Sequence, residues 1–136
     1  MKLINTLTVI TWVVIMLVAC GWTSSDPLNG TTWELYSIGK YSPIAGSRTT
    51  IQFDDGQVSG LGGCNHYGGE YQISRDGLTF DKLYMTEMAC MSPEGVMDQE
   101  STFLRFLGGA QGFELVDNHL QIYGAGGEAL TFILAQ

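Results

Sequence analysis

The stretch Thr49-Thr50-Ile51-Gln52-Phe53-Asp54-Asp55-Gly56-Gln57-Val58-Ser59 states the fold most plainly. Apolar and polar side chains alternate over Thr49–Phe53, the period of a strand with one buried face. Asp54-Asp55-Gly56 is a hairpin turn, and Gln57-Val58-Ser59 returns antiparallel. Further on, Gly60 to Gly69 holds five glycines in ten residues and reads as a loop or bulge. Glu70-Tyr71-Gln72-Ile73-Ser74 alternates again, and Arg75-Asp76-Gly77 turns into Leu78-Thr79-Phe80. Another extended piece is expected around Leu83 to Met88. Upstream, Thr32 to Ile38 reads as a first strand, followed by a loop from Gly39 to Ser47.

One helix is expected at Ser92 to Leu107, with Ser92 as N-cap, Pro93 at the first helical position and Glu94 at the positive end of the dipole. Val96, Phe103, Leu104 and Leu107 fall on one side at helical spacing, and Gly108-Gly109 stops the run. Strands at Phe113–Val116, Leu120–Tyr123 and Leu130–Leu134 complete the pattern. About eight short strands with close turns imply antiparallel pairing. A sheet with one buried face can curl into a small barrel and so remove its edges. The fold class is therefore α+β, mostly β, with the helix inserted before the last three strands to plug or flank the open side.

Composition narrows the function classes. The 136 residues carry 6 Lys+Arg against 14 Asp+Glu, a formal net charge of -8, which leaves no room for a large basic patch and counts against nucleic acid. Hydrophobic residues reach 45% and charged residues only 15%, which excludes a disordered chain. Two His leave little scope for His-dependent catalysis.

The amino terminus reads as a targeting segment. After Met1-Lys2, the most apolar part is Leu7 to Ala19, too short for a comfortable membrane span of ~20 residues and right for a secretory signal. The run ends in Leu17-Val18-Ala19-Cys20, which resembles a bacterial lipobox, where cleavage precedes the Cys and its sulfur is lipidated. Residues 1–19 are then a signal peptide, 20–27 a lipidated tether carrying palmitate-type acyl chains, and 28–136 the domain. Two or more acyl chains give stable anchoring at ~0.8 kcal/mol per buried methylene. Cleavage would leave 117 of the 136 residues with a formal charge of -9, Lys2 being lost. Gly21, rather than Asp, follows the lipid Cys, and resemblance to sorted lipoproteins then implies the outer membrane, facing the periplasm, in a Gram-negative host.

With Cys20 lipidated, Cys64 and Cys90 remain of the three cysteines, and an oxidising exported compartment suggests a disulfide between them. Asn29-Gly30-Thr31-Thr32-Trp33, Ser59-Gly60-Leu61-Gly62-Gly63-Cys64-Asn65-His66-Tyr67-Gly68-Gly69-Glu70-Tyr71 and Thr86-Glu87-Met88-Ala89-Cys90 resemble the META/HslJ domain family in order and spacing. The motif residues are Trp33, Gly63, Asn65, Gly69, Tyr71 and Thr86, and the resemblance spans roughly Leu28 to Leu134. It implies a small cracked antiparallel barrel with a helix. It also implies envelope proteins, often lipoproteins and linked to stress response, with no established catalytic activity. The family fold is similar to secretin pilot lipoproteins, which suggests a protein partner or lipid. The motif also has a purely conformational reading as a disulfide-clamped bulge, since Gly and Asn adopt geometries other residues avoid.

Chemistry-bearing motifs are sparse. Gly124-Ala125-Gly126-Gly127-Glu128-Ala129 fits a dinucleotide fingerprint formally, but it precedes a strand and reads as a turn. Glu87 and Asp54-Asp55 have no visible base partner, and His119 reads as an exposed turn residue. The chain is thus expected to act without a cofactor or catalysis, as a membrane-anchored binding or envelope-stress accessory module. One alternative is a carrier or sensor for a lipid or hydrophobic molecule, held between barrel and helix. The other is copper binding by Cys64, His66, Met88, Cys90 and Met91, with Met85 nearby, since thiolate and thioether suit Cu(I).

Overall fold

Alternation of apolar and polar residues produces eight strands in this computed structural model, which describes residues 25–75 and 77–136. The expected signal segment, Cys20, the first part of the expected tether and Asp76 of the expected turn lie outside the described residues. The strands are β1 (Thr31–Ile38), β2 (Thr50–Asp54), β3 (Gln57–Leu61), β4 (His66–Ser74), β5 (Gly77–Met85), β6 (Ala110–Val116), β7 (His119–Gly124) and β8 (Ala129–Leu134). A single helix, α1 (Val96–Gly108), stands between β5 and β6. All pairings are antiparallel in the order β5-β4-β3-β2-β1-β8-β7-β6, so the first and last strands of the chain are neighbours. The sheet curls into a nearly closed barrel whose two ends, β5 and β6, face each other.

The interior is filled by one side of each strand together with α1. Phe53, Ile51, Leu78, Leu120, Ile122, Leu130 and Phe132 are fully buried. Phe103 and Leu107 of α1 are also fully buried, Phe103 lying edge-on to Tyr67 at 5.4 Å between ring centroids and 6.3 Å from Phe132. The helix therefore packs its apolar stripe into the barrel interior, against β4, β5 and β8. Leu104, expected on the buried side, is only half-buried and lies by Leu83, Tyr84 and Met85 of β5.

Three boundaries differ from the sequence reading, each for a local reason. The helix begins at Val96 rather than near Ser92, because Gly95 sits at the N-cap with φ 82 and bars a helical turn through it; no side chain caps this end. The glycine-rich segment is a loop only at 62–65. Gly60 belongs to β3, and Gly68 and Gly69 belong to β4, each covered by a cross-strand neighbour. The two extended pieces expected at Leu78–Phe80 and Leu83–Met88 are one strand ending at Met85. A register shift opposite Gly68/Glu70 and φ 51 at Lys82 mark a bulge inside it. The segment after Met85 is irregular but well tied down.

Candidate functional site

The family-like motif converges on one buried carboxylate. The loop 62–65 turns with Gly63 at φ 125, where a Cβ would stand 3.1 Å from Val96 Cγ2 of the helix. This turn aims the amides of Cys64 and Asn65 at α1. Glu100, fully buried on α1, accepts both through Oε2 at 3.0 and 2.6 Å, and accepts Asn65 Nδ2 through Oε1 at 2.7 Å. A buried carboxylate is tolerable only when bonded in this way.

Asn65 carries the network onward. Its Oδ1 accepts from Thr86 Oγ1 at 2.8 Å and from the Met88 amide at 2.7 Å, while Nδ2 also donates to the Met88 carbonyl at 3.2 Å. Thr86 Oγ1 in turn accepts from the His66 amide at 3.2 Å. Cys64 and Cys90 form a disulfide, with Cα atoms 5.9 Å apart, that staples the same two segments. Met88 contributes its backbone here and leaves its side chain exposed. Cys64, Asn65, Thr86 and Cys90 are thus brought together, and Gly63 supplies the turn they need.

The other motif residues stand elsewhere on the barrel. Trp33 is buried in β1 and donates its indole N–H to Thr31 Oγ1 at 2.7 Å. Gly69 lies against Asp81 and Leu83 at the β5 bulge. Tyr71 packs edge-on to Phe53 and donates its hydroxyl to Asp26, whose other oxygen accepts from the Leu28 amide at 2.8 Å. Burial, the bond to Asp26 and that residue's charge all push the Tyr71 hydroxyl well above its ordinary pKa. Burial alone does the same for Tyr67.

Glu100 is the residue that sequence reasoning missed. The signal was present: Val96, Glu100, Phe103 and Leu107 form the buried stripe of α1, so a carboxylate occupies an apolar position. Gln99 was missed as well; its carboxamide accepts from the Ile44 amide at 2.6 Å and donates to Ser47 Oγ at 2.9 Å, tying the β1–β2 loop to the helix.

The proposed copper ligands are arranged differently from a soft-metal cage. Both cysteine sulfurs are joined to each other, and Met88 and Met91 point to solvent, Met91 being 92% exposed. His66 is exposed on β4. Among the described residues, no three His, Cys, Asp or Glu gather in a metal-holding group. The space behind Phe103 and Leu107, where a carried ligand was expected, is filled by side chains.

An eight-stranded, nearly closed antiparallel barrel with one plugging helix and a disulfide-stapled Gly-Cys-Asn loop defines the class. The META domain family model matches residues 26–136, and the chain belongs to that family. An NMR structure of a protein from Burkholderia xenovorans is similar at 26% identity and TM-score 0.65, covering 85% of this chain and 94% of that one. A second NMR structure shares 29% identity at TM-score 0.64, over 79% and 91% of the two chains. A crystal structure of a DUF4847 family protein from Bacteroides vulgatus, 14% identical at TM-score 0.55 over 79% and 94%, shares the fold. No curated protein matches the chain.

Proposed function

We propose that this META-domain chain is a non-catalytic, lipid-anchored accessory protein of a bacterial envelope that engages a protein partner under stress. The observation that carries the binding role is an exposed apolar strip. Met88 and Met91 are 49% and 92% exposed on a segment held by Asn65 and the disulfide, and Met85, 40% exposed, ends β5 just before it. Apolar side chains displayed together on a stapled segment fit a partner surface, and methionines adapt to irregular contacts.

The anchoring role is supported by the lipobox-like Leu17-Val18-Ala19-Cys20 and by the start of the fold. Asp26 is bonded to Tyr71 and Leu28, so the domain begins six residues after Cys20. Six residues reach ~20 Å at most, which holds the barrel at the bilayer surface. The buried network at Glu100 supports a structural rather than catalytic use of the motif, since its donors and acceptors are spent on one another.

The full-length lipoprotein with a photo-cross-linking residue at Met91 tests this reading. A discrete protein adduct is expected at Met91 and not at Asp117 in the β6–β7 turn, and intact-mass analysis of the membrane fraction is expected to find a mature chain beginning at an acylated Cys20. An unacylated Cys20 would overturn the anchor, and the absence of an adduct from Met91 would overturn the partner surface.

A further inference from the structure

A second surface lies on the outside of β2, β3 and β4. The β2–β3 ladder runs from Asp54–Gln57 to Gln52–Ser59 and then stops. Beyond it the Leu61 amide donates to Thr50 Oγ1 at 3.1 Å instead of to a carbonyl. The freed Thr50 carbonyl accepts from the Tyr67 hydroxyl at 2.8 Å, reached from inside the barrel. Gly60 allows β3 to lie close against this carbonyl, since a Cβ there would stand 2.1 Å from the Thr50 oxygen and 2.9 Å from the Tyr67 hydroxyl.

A groove of about 430 Å³ lies over this junction, lined by Arg48, Thr50, Gln52, Ser59, Leu61 and His66, with Tyr67 at its floor. Arg48 is held beside Glu34 at 3.4 Å, and both are solvent-exposed. One flank carries an exposed ring: the hydroxyl end of Tyr84 lies over Gly68, the residue cross-strand from Ser59. Hydroxyl, carboxamide, imidazole and guanidinium groups thus stand beside an aromatic face.

That combination selects the ligand. The lining both donates and accepts hydrogen bonds over a short distance, which matches a ring of hydroxyl groups. The Tyr84 ring offers an apolar face for the C–H side of such a ring, with a polar tip at its edge. The backbone of β3 and β4 is committed to its own ladder along this face, which disfavours an added peptide strand. We infer that this groove is a carbohydrate-binding site, with sugar hydroxyls on Gln52, Ser59 and His66 and the sugar face on Tyr84. The inference rests on the binding role proposed above but not on the lipid anchor or the methionine strip.

Amide NMR of the full-length lipoprotein in detergent tests it, with tri-N-acetylglucosamine and trigalacturonic acid as separate probes. Saturable shifts at Gln52, Ser59, His66 and Tyr84 are expected with at least one probe. Gln52→Ala, an exposed change, should weaken that binding about tenfold or more while leaving the rest of the spectrum in place. No saturable shift from either sugar up to ~10 mM, or shifts confined to other surfaces, would overturn the site. Because the cross-link at Met91 is read separately, failure of the sugar test leaves the partner surface standing, and the reverse holds too.

Discussion

Glu100 accepts from two loop amides and shares the Asn65 carboxamide nitrogen with the Met88 carbonyl. Removing it leaves buried donors without acceptors, each costing about 1–3 kcal/mol. Glu100→Ala is therefore expected to destabilise the domain by about 3–5 kcal/mol, read as a shifted urea midpoint with unchanged slope. Glu100→Gln retains one acceptor oxygen and should lose less. No loss in Glu100→Gln would show that the side chain acts only by filling space, and a loss equal to that of Glu100→Ala would show that the single retained oxygen cannot serve the loop. The alternating strand residues were legible because burial follows a period of two. Glu100 was not, because a charged residue in an apolar stripe becomes interpretable only once its donors are known.

The two buried tyrosines make a second prediction at this scale. Tyr67 and Tyr71 have hydroxyls held protonated in the fold, above the ordinary value of about 10. A folded pKa above the unfolded one gives stability that is complete below pH ~10 and is lost as pH rises beyond it. Alkaline unfolding, followed by tyrosinate absorbance and circular dichroism, should therefore set in above pH ~10. The Tyr67→Phe/Tyr71→Phe double variant should move that limb to higher pH, although Tyr71→Phe also loses the bond to Asp26. A limb unmoved by the double variant would assign alkaline unfolding to other groups.

Among the elements, the stapled segment between β5 and α1 depends most on covalent help. It has no ladder of its own and is fixed by Asn65, Thr86 and the Cys64–Cys90 bond. The disulfide closes a loop of 26 residues, worth about 3.5 kcal/mol by the chain-entropy estimate. Cys64→Ala/Cys90→Ala should lower the melting temperature by roughly 10–20 °C without changing the far-ultraviolet spectrum. A loss under about 2 °C would mean that the Asn65–Glu100 network holds the segment unaided. The cysteine pairing followed from counting, because with Cys20 set aside as the expected lipid site only Cys64 and Cys90 remain to pair. The helix start was misplaced because Ser92 and Pro93 are good opening residues by composition. What decides the point is the left-handed backbone at Gly95, where a Cβ would stand 3.3 Å from Ile44 Cδ1.

At the scale of the whole molecule, the barrel closes by contact rather than by a ladder. Among the described residues no backbone pairing joins β5 to β6, and the two strands meet side by side. Turn spacing along the chain revealed antiparallel neighbours, but not the meeting of two strands separated by a helix, since that depends on the summed twist of eight strands. Gly77 marks where the ends approach most closely: it has φ 142, and a Cβ there would lie 1.7 Å from the Gln111 carbonyl oxygen of β6. A side chain at this point must push β5 and β6 apart. Gly77→Ala is therefore expected to cost about 2–4 kcal/mol, combining strain in the left-handed backbone with overpacking at the seam. Gly126→Ala, in the β7–β8 turn with open space around it, should change stability by less than about 0.5 kcal/mol. Native-state hydrogen exchange localises the effect: amides of β6 should lose protection in Gly77→Ala before those of β1 and β8, which pair over most of their length. Uniform loss of protection across all eight strands would instead show that the seam opens only with the whole barrel.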